Sequence, residues 1–301
     1  MIKMQGVIIP IVTPFTSDDK IDIEALHRLV DYLIDNGVDS LYPNGTTGEM
    51  LKLTLEERKL VAEEVQEAAA GRIPVFVQVG APTTAQTVEL AKHAVSIGAA
   101  GIGVVTPQFF GVNFREMVEF YVQVSNSVPA DFPVYLYNIP QCAANDITPE
   151  MVEAILKRTK NVVGIKYSFA DFIRLKDYLL CADGQFDVVV GPDRLFLPGL
   201  AMGCVGVVTG CAQCGPAPFV QVYRKFKEGD MAGALAASRQ SSEFAEIVKA
   251  GANMAYFKAA MEYNGLGKTH MRAPALDLTD PERKELFLQL ETYERKYGIK
   301  R

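Results

Sequence analysis

Eight short apolar runs, separated by longer amphipathic stretches, set the pattern of this sequence. Such an alternation predicts parallel β-strands that are joined by helical crossovers. Several runs are apolar throughout, as Val188-Val189-Val190 is, which is typical of strands that are covered on both faces. The predicted strands are residues 6–15, 38–42, 74–79, 102–106, 133–137, 162–166, 187–190 and 205–209. Eight such strands favour an α/β fold of the closed TIM (β/α)8 barrel type.

An open, doubly wound sheet is the alternative architecture for the same alternation. A dinucleotide-binding sheet of that kind carries a Gly-x-Gly-x-x-Gly turn after its first strand. Here the first predicted strand runs into Thr13-Pro14-Phe15 instead. The barrel is therefore the favoured prediction.

Helix signals lie between the predicted strands, at residues 23–36, 54–70 and 83–97. Thr54 with Glu57 three residues later forms a capping box, and glycines at 37, 71 and 98 stand where helix C-caps belong. About ninety residues follow the eighth strand, more than one crossover needs. We therefore predict a barrel over residues 1–225 and a C-terminal helical region over residues 226–301 that packs on it.

Composition narrows the function classes. The 301 residues are 49% hydrophobic, enough for a large core, and the net charge of −6 is spread along the predicted helices. We expect neither a nucleic-acid partner nor a membrane span, and the N-terminus lacks a signal-peptide pattern, so we expect a cytoplasmic protein. Five cysteines suggest reduced thiols. The pair Cys211 and Cys214 is interpreted as packing, with redox or metal roles as the alternative.

Polar residues end four of the predicted strands, and the C-terminal strand ends are where a TIM barrel builds its active site. Lys166 ends the sixth strand, where an ammonium group is costly unless it is paired or loses its proton. A neutral amine could condense with a ketone. The alternative is a lysine that reaches out to solvent or pairs with a carboxylate. The four strand ends are residues 44–49, 137–140, 166 and 191–194.

Tyr137 ends the fifth strand, so the barrel predicts that it lies beside Lys166. A phenol there could carry protons, or it could be a structural tyrosine at the rim. The Gly45 to Glu49 turn offers backbone N–H groups and two hydroxyls for a carboxylate or a phosphate, or it could be a capped βα turn with Glu49 as its anchor. The histidines, at 27, 93 and 270, do not end strands, which disfavours a metal site.

Three motifs together resemble the dihydrodipicolinate synthase and N-acetylneuraminate lyase family, and the resemblance covers nearly the whole chain. It implies a TIM barrel with C-terminal helices, often in tetramers, and no metal or organic cofactor. By that resemblance Lys166 forms an imine with pyruvate, Tyr137 shuttles protons, and Thr46 and Thr47 hold the pyruvate carboxylate. The motifs are Gly45-Thr46-Thr47-Gly48-Glu49, Tyr137-Asn138-Ile139-Pro140 and Gly164-Ile165-Lys166. The predicted catalytic residues are Lys166, Tyr137 and Thr46, and the predicted substrate-binding residues are Thr47, Gly48, Gly191, Asp193, Arg194 and Val208.

The sequence also departs from the family's synthases. These carry a carboxylate-binding arginine where this chain has Cys142, and a tyrosine from a neighbouring subunit where this chain has Phe109 and Phe110. Asp193 resembles a position that contacts sugar hydroxyls in the sialate lyases, whereas Arg194 stands where those enzymes carry an acid. Arg194 could bind an anionic tail, or it could be a solvated residue that caps the loop.

These observations predict a class I, Schiff-base aldolase that joins or splits pyruvate, or a similar 2-oxo acid, and an aldehyde. The expected substrate is a 2-keto-3-deoxy sugar acid, and the expected assembly is a homo-oligomer, a tetramer or a dimer. Dihydrodipicolinate synthase (4-hydroxy-tetrahydrodipicolinate synthase), N-acetylneuraminate lyase and a dehydratase that uses the same imine stay open as alternatives. Two further possibilities are a catalytically weak sugar- or oxo-acid-binding regulator and a phosphate-dependent isomerase.

Overall fold

The computed structural model describes residues 1–299, and eight parallel strands form its centre. Hydrogen-bonded neighbours run in the order β2-β1-β8-β7-β6-β5-β4-β3, and a parallel bridge between Leu41 and Val75 joins β2 to β3. The sheet therefore curls into the predicted TIM barrel. The strands are β1 (Gly6–Ile9), β2 (Ser40–Leu41), β3 (Phe76–Gln78), β4 (Gly101–Val105), β5 (Val134–Asn138), β6 (Val162–Tyr167), β7 (Asp187–Val190) and β8 (Gly206–Val208).

Several strands are shorter than predicted, and the first differs most. The first apolar run was expected to continue to residue 15, but β1 ends at Ile9, because Pro10 has no N–H to donate to the ladder. The second strand ends at Leu41, just before Tyr42 and Pro43. The residues after β1 stay buried as irregular chain, so their apolar character reflects packing rather than strand pairing.

Helices alternate with the strands and cover the barrel's outer face. Thr54 caps α2 with the predicted capping box, since its side chain accepts the Glu57 N–H and the Glu57 carboxylate accepts the Thr54 N–H. The helices are α1 (Ile23–Asp35), α2 (Leu55–Ala69), α3 (Thr84–Ser96), α4 (Phe114–Ser125), α5 (Pro140–Ala143), α6 (Pro149–Leu156), α7 (Phe172–Gly184), α8 (Phe196–Met202), α9 (Ala217–Lys227), α10 (Met231–Ile247), α11 (Met254–Tyr263) and α12 (Asp280–Tyr297).

The core has two layers, because successive residues of a strand point to opposite faces. Val7 and Ile9 of β1 face the surrounding helices, whereas Ile8 between them faces the barrel interior. The interior is filled by a small, separate cluster of buried side chains. Its buried members are Met4, Ile8, Tyr42, Phe76, Tyr135, Val189 and Val208. The barrel interior is thus a packed core.

The C-terminal helices pack on the barrel and reach its mouth. Helix α10 packs against α9 and α12, and the segment after α11 returns to the barrel, where His270 pairs with Phe15. The predicted division at residue 225 falls inside α9 and stays a prediction. Among the helices of residues 1–299, none combines the length and apolar character that a membrane span requires.

Candidate active site

A cavity of about 330 Å³ opens at the C-terminal ends of the strands. It brings together seven of the nine residues predicted for the site. They are Thr46, Thr47, Tyr137, Lys166, Gly191, Asp193 and Val208. Gly48 and Arg194 are not part of its wall. The strand ends therefore converge as the barrel geometry requires.

Lys166 lies at the deep end of this cavity. Its neighbour across the β5–β6 pair is Tyr137, which confirms the predicted adjacency of the two side chains. The Lys166 Nζ is 3.9 Å from the centroid of the Tyr137 ring and 5.0 Å from that of Tyr42. Lys166 is only 4% exposed, and no Asp or Glu within residues 1–299 forms an ion pair with it. It neither reaches solvent nor pairs with a carboxylate, so the amine lies between two aromatic rings and faces the cavity.

The phenol of Tyr137 connects this amine region to the turn after β2. The Tyr137 hydroxyl and Thr46 Oγ1 are 3.2 Å apart, and either oxygen can donate the hydrogen bond. Thr46 is exposed to the cavity, whereas Tyr137 is 2% exposed. A proton can therefore pass between the cavity and the phenol through a hydroxyl that is already in place.

The turn after β2 is held from behind by hydrogen bonds to its own carbonyl groups. The Glu49 N–H donates to the Thr46 carbonyl at 3.1 Å, and the Thr13 hydroxyl donates to the Gly48 carbonyl at 2.8 Å. A side chain at Gly48 would meet the Ile11 carbonyl at 3.1 Å, so this glycine permits close approach of two backbone segments. Gly48 thus supports the turn, while Thr46 and Thr47 present its polar groups to the cavity.

Asp193 brings a carboxylate to the cavity wall beyond β7. It accepts hydrogen bonds from the Thr209 hydroxyl and from the Cys211 thiol, the latter at 3.4 Å. Burial raises the pKa of Asp193, while these hydrogen bonds and the charge of Lys166 act in the opposite direction. The carboxylate is therefore fixed in orientation, with its charge directed toward the same space as the Lys166 amine.

Gly191 allows β7 to lie close to the end of β6. A Cβ atom at this position would be 1.9 Å from the Ser168 Oγ, so any side chain would displace that hydroxyl from the cavity wall. Gln141 lies nearby on α5 and donates its amide N–H to the Ser168 carbonyl at 2.7 Å. Both Gln141 and Ser168 line the cavity, although the sequence analysis did not select them.

Arg194 lies on the surface rather than in the cavity wall. Its guanidinium pairs with Glu246 of α10 at 2.9 Å, and both side chains are more than half exposed. Cys142 is exposed and does line the cavity, at the position where the family's synthases carry an arginine. Lys166 is consequently the one lysine or arginine among the described residues of the cavity wall.

Tyr42 and two residues of α11 also contribute to the site, although they were not predicted from the sequence. Tyr42 was taken as the end of a strand, and its ring packs edge-on against Tyr137 with the centroids 6.4 Å apart. Its position at a strand end was the available signal. Met254 and Phe257 reach the cavity from α11, across a sequence separation that no local pattern reveals.

The two cysteines of the C-x-x-C pair are both buried. The Cys214 thiol donates to the Phe257 carbonyl at 3.6 Å, and burial raises the pKa of both Cys211 and Cys214. All five cysteines are free thiols. Within residues 1–299, no group of three or more His, Cys, Asp or Glu side chains is arranged to hold a metal ion.

Comparison with known proteins agrees with this geometry. The profile of the Dihydrodipicolinate synthetase family matches residues 3–292. A probable 2-dehydro-3-deoxy-D-pentonate aldolase of Escherichia coli K12 is 34% identical over 243 residues, which cover 80% of each chain. A 4-hydroxy-tetrahydrodipicolinate synthase of Thermus thermophilus is 34% identical over 295 residues, 98% of this chain and 97% of the relative.

Among solved structures, the chain is similar to YagE, an E. coli K12 prophage protein of the dihydrodipicolinic acid synthase family, in complex with pyruvate. The TM-score is 0.91 at 28% identity, and the match covers 96% of this chain and 98% of YagE. The TIM-barrel fold, the residues at the strand ends and the relatives that match most of the chain all indicate the same family. The protein is a carbon–carbon lyase that belongs to the dihydrodipicolinate synthetase family.

Proposed function

We propose that the protein is a class I aldolase that forms a Schiff base between Lys166 and pyruvate or a similar 2-oxo acid. The observation that carries this proposal is the buried Lys166 amine, 3.9 Å from the Tyr137 ring and free of any carboxylate partner within residues 1–299. The neutral form of a lysine amine is the nucleophile that condenses with a ketone, and the cavity gives a 2-oxo acid access to this amine.

The proposed reaction needs only groups of this chain. The Lys166 amine attacks the 2-oxo carbon, and the carbinolamine loses water to give a protonated imine. In the cleavage direction the C3–C4 electron pair moves into the imine, and the C4 hydroxyl loses its proton to leave as an aldehyde. The resulting enamine takes a proton at C3, and water then hydrolyses the imine to release pyruvate.

For each proton transfer in this reaction, a group that could carry the proton lies nearby. Tyr137 lies beside the amine, and its hydroxyl is 3.2 Å from Thr46 Oγ1. We propose that the pair moves protons to and from the carbinolamine and the C4 hydroxyl. Thr46, Thr47 and the backbone N–H groups of their turn would hold the 2-oxo acid's carboxylate, as oriented donors do for anions.

The aldehyde partner that fits this cavity is neutral and hydroxylated. Gln141 and Ser168 offer an amide and a hydroxyl, and Asp193 can accept a hydrogen bond from a substrate hydroxyl. An aldehyde with its own carboxylate would meet the Asp193 carboxylate, and the Cys142 position offers no cationic side chain to balance the two charges. We therefore propose a 2-keto-3-deoxy sugar acid as the substrate, as the name of the E. coli relative suggests.

A dihydrodipicolinate synthase is the second candidate, because the T. thermophilus relative bears that activity's name and matches nearly the whole chain. The two candidates differ in the charge of the aldehyde. Efficient, lysine-sensitive condensation of pyruvate with aspartate semialdehyde in a coupled assay would overturn the sugar-acid assignment.

Borohydride trapping tests the imine itself. The wild type and Lys166→Ala are incubated with pyruvate and borohydride, digested, and analysed by peptide mass spectrometry. We expect a reduced pyruvate adduct on Lys166 in the wild type and none in the variant. A folded wild type without an adduct would favour the oxo-acid-binding regulator or a different 2-oxo acid.

We propose further that the enzyme works in the cytoplasm as a homo-oligomer, a dimer or a tetramer. Free thiols at all five cysteines fit a reducing compartment. Phe109 and Phe110 are 81% and 74% exposed, and exposed aromatic groups of this size are common at subunit contacts. Light scattering coupled to gel filtration would give the subunit number, and a monomer at micromolar concentration would refute the assembly.

A further inference from the structure

A buried ion pair lies directly behind the turn that carries Thr46 and Thr47. The Glu49 Oε1 is 2.7 Å from the Lys258 Nζ, and the two side chains are only 3% and 2% exposed. Glu49 follows Thr47 by two residues, and Lys258 lies on α11 next to Phe257, which lines the cavity. The pair therefore connects the proposed carboxylate-binding turn to the C-terminal helices.

The backbone at Glu49 carries a conformational cost. Its φ of 59° and ψ of 36° place it in the left-handed region, which costs a residue other than glycine about 1–2 kcal/mol. Burial of its carboxylate adds a desolvation cost. Glycine would be easier to accommodate here, so the presence of glutamate indicates that its side chain is used. Its partners are two ammonium groups, Lys258 on Oε1 and Lys52 on Oε2, each at 2.7 Å.

Lys258 is held just as tightly from other directions. Its Nζ donates to the His270 carbonyl at 2.7 Å and lies 4.3 Å from the centroid of the Phe15 ring. The His270 N–H in turn donates to the Phe15 carbonyl at 2.9 Å. One ammonium group thus joins the segment after β1, the turn after β2 and the segment after α11.

Stability alone does not account for such a pair. The desolvation of two buried charges roughly cancels their attraction, and replacement of a buried pair by apolar side chains is often neutral. What a buried pair can supply is a fixed geometry. The nearby hydroxyl and backbone N–H groups of the turn need such a geometry, because an anion site depends on the direction of each donor.

We propose that Glu49 and Lys258 are positioning residues that hold the Thr46–Thr47 turn in the geometry that binds the carboxylate of the 2-oxo acid. This inference rests on the proposed function. Neither residue lines the cavity, so neither touches the substrate. Their effect is on the carboxylate site, whereas the Lys166 amine lies on another strand and keeps its own surroundings.

The test compares pyruvate with acetone, a ketone that lacks the carboxylate. For the wild type, Lys258→Met and the double variant Glu49→Gln with Lys258→Met, borohydride trapping on Lys166 is measured against the concentration of each ketone. We expect the variants to need about 10- to 100-fold more pyruvate for half-maximal trapping, as a displacement of about 1 Å would produce. Acetone trapping should stay within about twofold, because acetone makes no use of the turn.

The double variant keeps the test informative if Lys258→Met alone does not fold, because it also neutralises the buried Glu49 carboxylate, which would otherwise keep only Lys52 as an ion-pair partner. Lys258→Arg should recover much of the pyruvate affinity, since it restores the positive charge. The matched control is Lys296→Met, which breaks the Lys296–Glu243 pair between α12 and α10 at the surface. This variant should trap pyruvate and acetone at the same concentrations as the wild type.

The outcomes separate the two proposals. A wild type that traps no pyruvate refutes the proposed function and, with it, this inference. A wild type that traps pyruvate normally, together with folded variants whose pyruvate dependence is unchanged, refutes the inference alone. An equal loss of pyruvate and acetone trapping also refutes it, because that result indicates general damage to the site around Lys166.

Discussion

Replacement of Tyr137 by phenylalanine removes one hydroxyl from the site and leaves the rest of the side chain in place. The ring stays 3.9 Å from the Lys166 Nζ, so the packing around the amine is kept. The lost hydrogen bond, to Thr46 at 3.2 Å, is long, and Thr46 is exposed to the cavity, so the free energy of unfolding should fall by no more than about 1 kcal/mol. What is lost is the proposed proton carrier.

The expected effect on rate follows from that role. A positioned acid–base group contributes about 10²- to 10⁴-fold to a proton transfer, which corresponds to about 3–5 kcal/mol in the barrier. The proposed enamine on Lys166 would exchange protons at C3 of pyruvate, so deuterium incorporation into the pyruvate methyl group reports the step without knowledge of the aldehyde. The methyl signal is followed by proton NMR in deuterium oxide, and Tyr137→Phe should slow its loss by about that factor.

Tyr135 supplies the matched control, since it lies two residues earlier on β5 and faces the same barrel interior, toward the opposite end. Its hydroxyl accepts the Met4 N–H at 2.8 Å and donates to Asp187 at 3.3 Å. Tyr135→Phe should lower the free energy of unfolding by about 1–3 kcal/mol and leave the exchange rate unchanged. An exchange rate in folded Tyr137→Phe within about threefold of the wild type would refute the proton-carrier role.

Three further predictions address the cavity and the buried ion pair. Cys142→Arg places a cation beside the aldehyde, so the ratio of kcat/KM for aspartate semialdehyde to that for a neutral sugar aldehyde should rise by about tenfold or more; an unchanged ratio would mean that Cys142 does not face the aldehyde. Asp193→Asn should weaken cleavage of 2-keto-3-deoxy sugar acids by about 10-fold while borohydride trapping of pyruvate stays normal, because the amide is a poorer acceptor for a substrate hydroxyl; equal loss of both would contradict this. Burial lowers the pKa of Lys258 to about 8, although the charge of Glu49 opposes the shift and Lys52 and Asp277 act more weakly. The unfolded chain therefore binds more protons between pH 8 and about 10.4, and urea titrations should show the free energy of unfolding rising with pH across this range in the wild type relative to Lys258→Met.

The order of the strands and the meeting of Tyr137 with Lys166 could be predicted from the sequence, because parallel strands in a barrel bring their C-terminal ends to one place. Strand lengths could not, since buried irregular chain such as residues 10–15 is as apolar as a strand. The direction of the side chains after a strand end could not be predicted from the sequence either. Asp193 points to the cavity, whereas the next residue, Arg194, pairs with Glu246 on the surface.

The contribution of the C-terminal helices to the site could not be predicted from the sequence, for a different reason. Their amphipathic pattern predicts helices that pack on a barrel, but not where they dock. Phe257 and Lys258 reach the region of Thr46 and Glu49 across about two hundred residues of chain. Contacts of that kind depend on how the whole molecule is arranged, and a single sequence does not encode them in any local spacing.

Two residues of α11, Met254 and Phe257, supply a part of the cavity wall that can change without altering the strands. Lys166 on β6 and Tyr137 on β5, the proposed proton carrier, lie inside the barrel, while Met254 and Phe257 enter from a helix outside it. Substitutions of Met254 or Phe257 can reshape the space proposed for the aldehyde without disturbing β5 and β6. A single barrel could in this way serve many different aldehydes, with the selectivity adjusted by residues of α11 near the C-terminal end of the sequence.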